Sequence, residues 1–143
     1  MSDAIALIAE PDQALRHSMK QVLLRAGYEV FEIANALQLD VCLRAIPLLV
    51  APSALLVLGA KLADHLTPAI SGVAGQRARL GLADLQLVLT YQHGSLPGEP
   101  PLARDACRIA GLLEAPFDFG ELHAIGLRCR TMPVADGSTN ASA

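Results

Sequence analysis

Few residues of this chain carry side chains that could do chemistry, and most of them stand alone. Glu10 and Asp12 follow the apolar run AIALIA, with Pro11 between them. Two carboxylates this close offer the clustered oxygen ligands a hard divalent cation prefers. They serve equally well as caps for a following helix, staying solvated, and on that plainer reading no metal is expected there. His17, His65, His93 and His123 are scattered, with no ligand spacing and no Ser or Cys partner that would make a nucleophile and base. Cys42, Cys107 and Cys129 are odd in number, far apart and without CxxC spacing, so they read as reduced, buried thiols. No GxGxxG or GxxxxGK[ST] occurs, which argues against a dinucleotide or nucleoside triphosphate site. The residues therefore indicate neither an enzyme nor a bound cofactor.

The stretch SALLVLGAKLAD raises a different question. Its Leu- and Val-rich run has the character of a strand buried on both faces of a parallel sheet, and functional groups often sit where such strands end. At that end stands Gly59, which has no side chain to offer.

These residues need a frame to hold them, and the totals bound it. At 143 residues the chain has the length of one domain, able to bury a core without metal or disulfide staples. Hydrophobic residues make up 52% and charged residues 17%, so much of the chain must be buried or meet a partner. With aromatics at only 3%, Leu, Val, Ile and Ala must fill the core. A net charge of -3, without a dense Lys/Arg cluster, gives no electrostatic footprint for nucleic acid. The longest nearly uncharged stretch, 45–60, is interrupted by Pro47 and Pro52 and falls short of the ~20 residues of a membrane span. The start, MSDAIALIAE, does not resemble a secretory signal, and a cytoplasmic location is expected.

Periodicity supplies the elements. Residues 4–9 read as a strand, followed by apolar positions Leu15, Met19, Val22, Leu23 and Ala26 at helical spacing, with Gly27 suited to the left-handed position that ends the helix. Residues 28–34 read as a second strand near an edge, 37–46 as a weaker helix and 54–58 as a third strand. Thr67 and Pro68 open a helix that Gly72 and Gly75 weaken. A fourth strand follows over 85–90, and 91–101, with its prolines and glycines, reads as a loop. A short helix over 102–110, a fifth strand at Leu112 and Leu113, and a last helix capped through Asp118 and Glu121 complete the series. The polar segment 131–143 has nothing to bury and reads as a disordered tail or the start of a linker, leaving 1–130 as the domain. Alternating strands and helices predict an α/β, flavodoxin-like three-layer sandwich, a parallel five-stranded sheet of order 2-1-3-4-5. Its functional end lies at Glu10, Pro11, Asp12 and Gly59.

In that frame three stretches resemble the receiver domain of two-component response regulators: IALIAEPDQALRHSMKQVLLRAGYEVFEIANA, LQLVLT and GLLEAPFDFGEL, together spanning roughly residues 4 to 130. The resemblance implies a phosphorylation switch. An aspartate ending strand three accepts a phosphoryl group, two acidic residues after strand one hold Mg²⁺, and a lysine after strand five pairs with the phosphate. A hydroxyl ending strand four and an aromatic on strand five relay the state. Most of that list is missing here. LGAKLAD aligns Gly59 with the phosphoacceptor, and Ala115 takes the lysine position before Pro116. Glu10 keeps one carboxylate and Pro11 removes the other, with Asp12 beside it. Leu112 stands where the aromatic belongs, while Thr90 remains, either as a switch residue or as a structural hydroxyl. The resemblance also implies a cis Ala115–Pro116 bond.

An acyl phosphate needs a carboxylate nucleophile, and phosphoryl transfer needs cations to stabilise the developing charge. Gly59 and Ala115 supply neither, and Asp64 lies five residues beyond the strand end. The expected function is an atypical receiver domain that signals by contact with a protein partner or with itself. Dimerisation through the helix four, strand five, helix five face is expected, with Leu102, Ile109 and Leu112 as interface candidates. Two alternatives stand beside it: the N-terminal regulatory domain of a longer transcriptional regulator, and a flavodoxin-like domain holding a small ligand in the space left at Gly59.

Overall fold

In the computed structural model, residues 3–63, 68–94 and 107–130 are described. Five parallel strands form one sheet in the order β2-β1-β3-β4-β5, as the alternating pattern predicts. They are β1 (Ala4–Ala9), β2 (Glu29–Ile33), β3 (Ser53–Gly59), β4 (Leu85–Gln92) and β5 (Cys107–Ala115). The helices among the described residues are α1 (Gln13–Arg25), α2 (Ala36–Leu43), α3 (Ile46–Val50), α4 (Ala60–Ala63), α5 (Pro68–Arg79) and α6 (Phe119–Arg130).

Both faces of the sheet are covered, which is why β1 and β3 are almost continuously apolar. Alternate side chains divide between two cores. Ile5, Leu7, Leu56, Leu58 and Leu87 pack with Leu39, Leu43, Leu48, Ile70 and Val73 from α2, α3 and α5. Ile8, Leu55, Val57 and Val88 pack on the other face with Met19, Val22 and Leu23 of α1 and Leu122 and Ile125 of α6. Tyr28 joins the second layer to itself: its hydroxyl donates to the Gly126 carbonyl at 2.7 Å, and burial pushes its pKa well above the ordinary tyrosine value. The ends of α1 follow the sequence reading, with Asp12 as N-cap accepting from the Leu15 amide and Gly27 beyond the C-terminus at φ +93°.

Arg77 is the unforeseen feature of the core. Its side chain is buried, with no acidic partner in hydrogen-bonding contact among the described residues, and it donates to the carbonyls of Leu48 (2.8 Å), Ala51 (2.6 Å), Pro52 (3.3 Å) and Ala83 (3.0 Å). These include carbonyls at the end of the short α3 that its own turn leaves without donors. Desolvation lowers the Arg77 pKa, opposed by the charge of Asp84.

Three expectations need correction. The helix expected over 102–110 does not reach Cys107, because β5 begins there and runs to Ala115. Cys107 and Ile109 are apolar positions two apart that face the first core, and a bulge opposite Leu87 and Val88 makes Ala110 the extra residue before Gly111. That insertion breaks the two-residue alternation, so the segment does not read as one strand. The weak helix of 37–46 ends at Leu43 and the chain restarts as α3, with Pro47 in the first turn where its missing N–H is harmless. The loop of 91–101 begins later than expected, since Tyr91 and Gln92 extend β4. Its remainder after Gly94, with Asp64, His65, Thr67, Leu102 and the segment 131–143, lies outside the described residues.

Candidate functional site

The carboxyl ends of β1, β3, β4 and β5 bring the predicted residues together. Gly59 is the last residue of β3 and pairs in register with Thr90 of β4, which in turn pairs with Leu113 of β5. Glu10 extends β1, its amide donating to the Ile33 carbonyl at 3.0 Å. A cleft of about 70 Å³ opens over this end, lined among others by Glu10, Asp12, Lys61, Thr90, Ala115 and Phe117. Pro116 follows through a cis peptide bond from Ala115.

Gly59 is not a turn residue: it sits in the strand and its φ is not positive. What distinguishes it is space. A Cβ built there would lie 2.7 Å from Glu10 Oε1 and 3.4 Å from the Ala9 carbonyl. The Glu10 carboxylate thus crosses the volume a side chain at position 59 would need. Its other oxygen, Oε2, accepts from the Asp12 amide at 2.9 Å, and Arg16 Nη1 holds the Glu10 carbonyl at 2.8 Å. Arg16 is itself tethered to Glu32, so the turn after β1 is fixed by a chain of polar contacts.

The Mg²⁺ that the resemblance implies does not fit these residues. Asp12 Oδ1 is engaged by the Leu15 amide at 3.1 Å, Glu10 Oε2 by the Asp12 amide, and Pro11 and Gly59 offer no side-chain oxygen. Among the described residues, no three His, Cys, Asp or Glu side chains group together. The thiols are no better placed for chemistry: burial, with the Asp84 charge, pushes the Cys107 pKa up to about 12, and burial also raises those of Cys42 and Cys129.

Sequence reasoning missed Lys61 and Phe117 as lining residues. Lys61 was in view, two residues past Gly59, but only the start of α4 immediately after β3 turns it toward the cleft. Of the interface candidates, Leu112 is 48% exposed on the edge strand, whereas Ile109 packs partly against the first core.

Comparison with known proteins bears on the fold. No protein-family model and no curated protein sequence matches the chain. Solved structures do. NtrX from Brucella abortus in complex with ADP superposes with a TM-score of 0.64 at 17% identity, covering 99% of this chain and 29% of that one. A response regulator receiver domain protein from Clostridium thermocellum gives 0.59 at 14% identity, covering 89% and 94%. The signal receiver domain of an HD domain-containing protein from Pseudomonas fluorescens Pf-5 gives 0.58 at 16%, covering 88% and 93%. The chain therefore has the response-regulator receiver fold, and spans less than a third of the NtrX chain. No helix among the described residues is long and apolar enough to cross a membrane.

Proposed function

We propose that this chain is a receiver-type signalling domain that works through protein contact and accepts no phosphoryl group. One observation carries the reading: where the fold places an acceptor carboxylate, Gly59 offers only backbone and the Glu10 carboxylate lies across the space. Ala115 at the end of β5 supplies no cation to meet a phosphate. Contact is the remaining use of an intact receiver frame. Leu112, a large apolar side chain left half exposed on an edge strand, supports a partner or a second copy on the β5 side.

Incubation with acetyl phosphate and Mg²⁺, followed by intact mass measurement, tests the reading. An unchanged mass is expected, and a stoichiometric, base-labile adduct of about 80 Da would overturn it. Analytical ultracentrifugation of the native chain and of Leu112→Glu tests the self-contact part, with weakened association expected in the variant.

A second reading, the regulatory domain of a longer regulator, is favoured by one finding: the chain matches only 29% of the NtrX chain it superposes on. It is compatible with the first, and the native reading frame beyond Ala143 decides it. A small-ligand function has weaker support, since a cleft of about 70 Å³ is well below the roughly 300–1,000 Å³ of small-molecule pockets.

A further inference from the structure

The cleft is small, and its polar groups are not all used. Thr90 is 4% exposed and Glu10 8% exposed, and both line it. Glu10 Oε2 is bonded to the Asp12 amide, while neither Oε1 nor the Thr90 hydroxyl has a hydrogen-bond partner among the described residues. Both residues line the cleft, so these two oxygens belong to its wall. They flank Gly59, one crossing it and the other its register neighbour.

Two acceptors, one of them a buried carboxylate, with Asp12 adding negative charge nearby, define what would satisfy the site. An anion is repelled. A divalent cation would find only the Glu10 and Asp12 carboxylates, since Pro11 and Gly59 offer no side-chain oxygen. A guanidinium fits best: it is planar, weakly hydrated, and presents several donors in a fixed fork that can serve a carboxylate and a hydroxyl together. The small volume suits the end of one side chain. Ala60 and Ala115 are small residues of its lining, and Gly59 beside it leaves room for the Glu10 carboxylate.

We propose that the cleft is the docking point for a single arginine side chain of a protein partner, seated on Glu10 Oε1 and the Thr90 hydroxyl. The inference rests on the contact reading above and names the chemistry of the contact. Lys61 also lines the cleft but is exposed, so its charge is screened by solvent and weakens the seat for a second cation without filling it.

The test uses the full chain and a probe of the side chain alone. Titration with N-acetyl-arginine amide, followed by amide NMR, should give saturable shifts centred on Glu10, Gly59 and Thr90, with a Kd of about millimolar order. The isosteric, uncharged N-acetyl-citrulline amide should give at least tenfold weaker shifts, and the lysine analogue should fall between. Glu10→Gln should abolish the saturable shifts, Thr90→Val should weaken them several-fold, and Lys61→Ala should tighten them about twofold, each in a protein whose circular dichroism is unchanged. No saturation by about 50 mM, equal binding of citrulline, or an unaltered response in Glu10→Gln overturns the proposal. If that happens while acetyl phosphate still leaves the mass unchanged, only the docking point falls. A phosphoryl adduct removes both readings.

Discussion

Two buried charges in this molecule are treated in opposite ways. Arg77 lies buried beside the first core, donating to four backbone carbonyls. Glu10 lies at the carboxyl end of the sheet with one oxygen bonded and the other turned over Gly59 into the cleft. The first arrangement is closed and can only hold the fold together. The second leaves capacity for an outside donor, and that open capacity separates a site from a structural charge.

The largest expected effect falls on the closed arrangement. Arg77→Met should lower the unfolding free energy by about 3 kcal/mol or more, because several carbonyls lose their donor at once. In a chain of this size that corresponds to a fall of about 6–12 °C in Tm. Thermal and urea unfolding measure it, and a loss below about 1 kcal/mol would break the contrast.

Next comes Gly59→Asp. The new Cβ forces the Glu10 carboxylate aside, and two carboxylates then share the cleft, for a loss of about 2 kcal/mol at pH 7. Like charge raises the folded-state pKa of the pair above its unfolded value. The charge penalty is therefore present above the raised pKa and fades as pH falls through it, so in acid the variant should approach the Tm of Gly59→Ala rather than the native value. Mg²⁺ should raise the Tm of this variant more than that of the native chain, since paired carboxylates suit a hard cation. Gly59→Ala isolates displacement from charge, and should lose about 1 kcal/mol with little pH dependence.

Asp12→Ala should cost about 1 kcal/mol through the lost cap on α1, read by urea unfolding. It should leave arginine binding within about threefold, because the proposed seat is Glu10 and Thr90. The smallest effect concerns Glu32. Slight burial pushes its pKa up, but hydrogen bonds and charge from Lys20 and Arg16 outweigh this and hold it below the ordinary carboxylate value. Its contribution is thus full above the unfolded pKa and disappears as pH falls through the lowered one. Glu32→Gln should flatten that part of the acid unfolding curve and change little at pH 7.

The legible part of the fold was the part buried on both sides. β1 and β3 were visible because residues covered on both faces form unbroken apolar runs, and α1 because one apolar stripe meets a cap and a terminal glycine. β5 was misread because a bulge at Ala110 disturbs its alternation on an edge strand that is only partly buried. The site residues Glu10, Asp12, Gly59, Thr90 and Ala115 were found by register with a known pattern, and the fold does bring them to one end of the sheet. Arg77 gave no warning, since a basic residue near the end of a helix ordinarily faces water and only the carbonyls of a distant segment explain its burial.

The order of residues was enough to decide what this site lacks. A glycine and an alanine cannot supply a nucleophile or a cation in any conformation, so those absences needed no coordinates. What the absences leave behind was decided only when distant segments met. The carboxylate of Glu10 lies over Gly59 because β1 and β3 are neighbours, and Thr90 stands beside them because β4 is next in the sheet. Side chains far apart along the chain acquire a shared cleft only through strand pairing, because hydrogen-bond capacity and open volume are properties of neighbours in space.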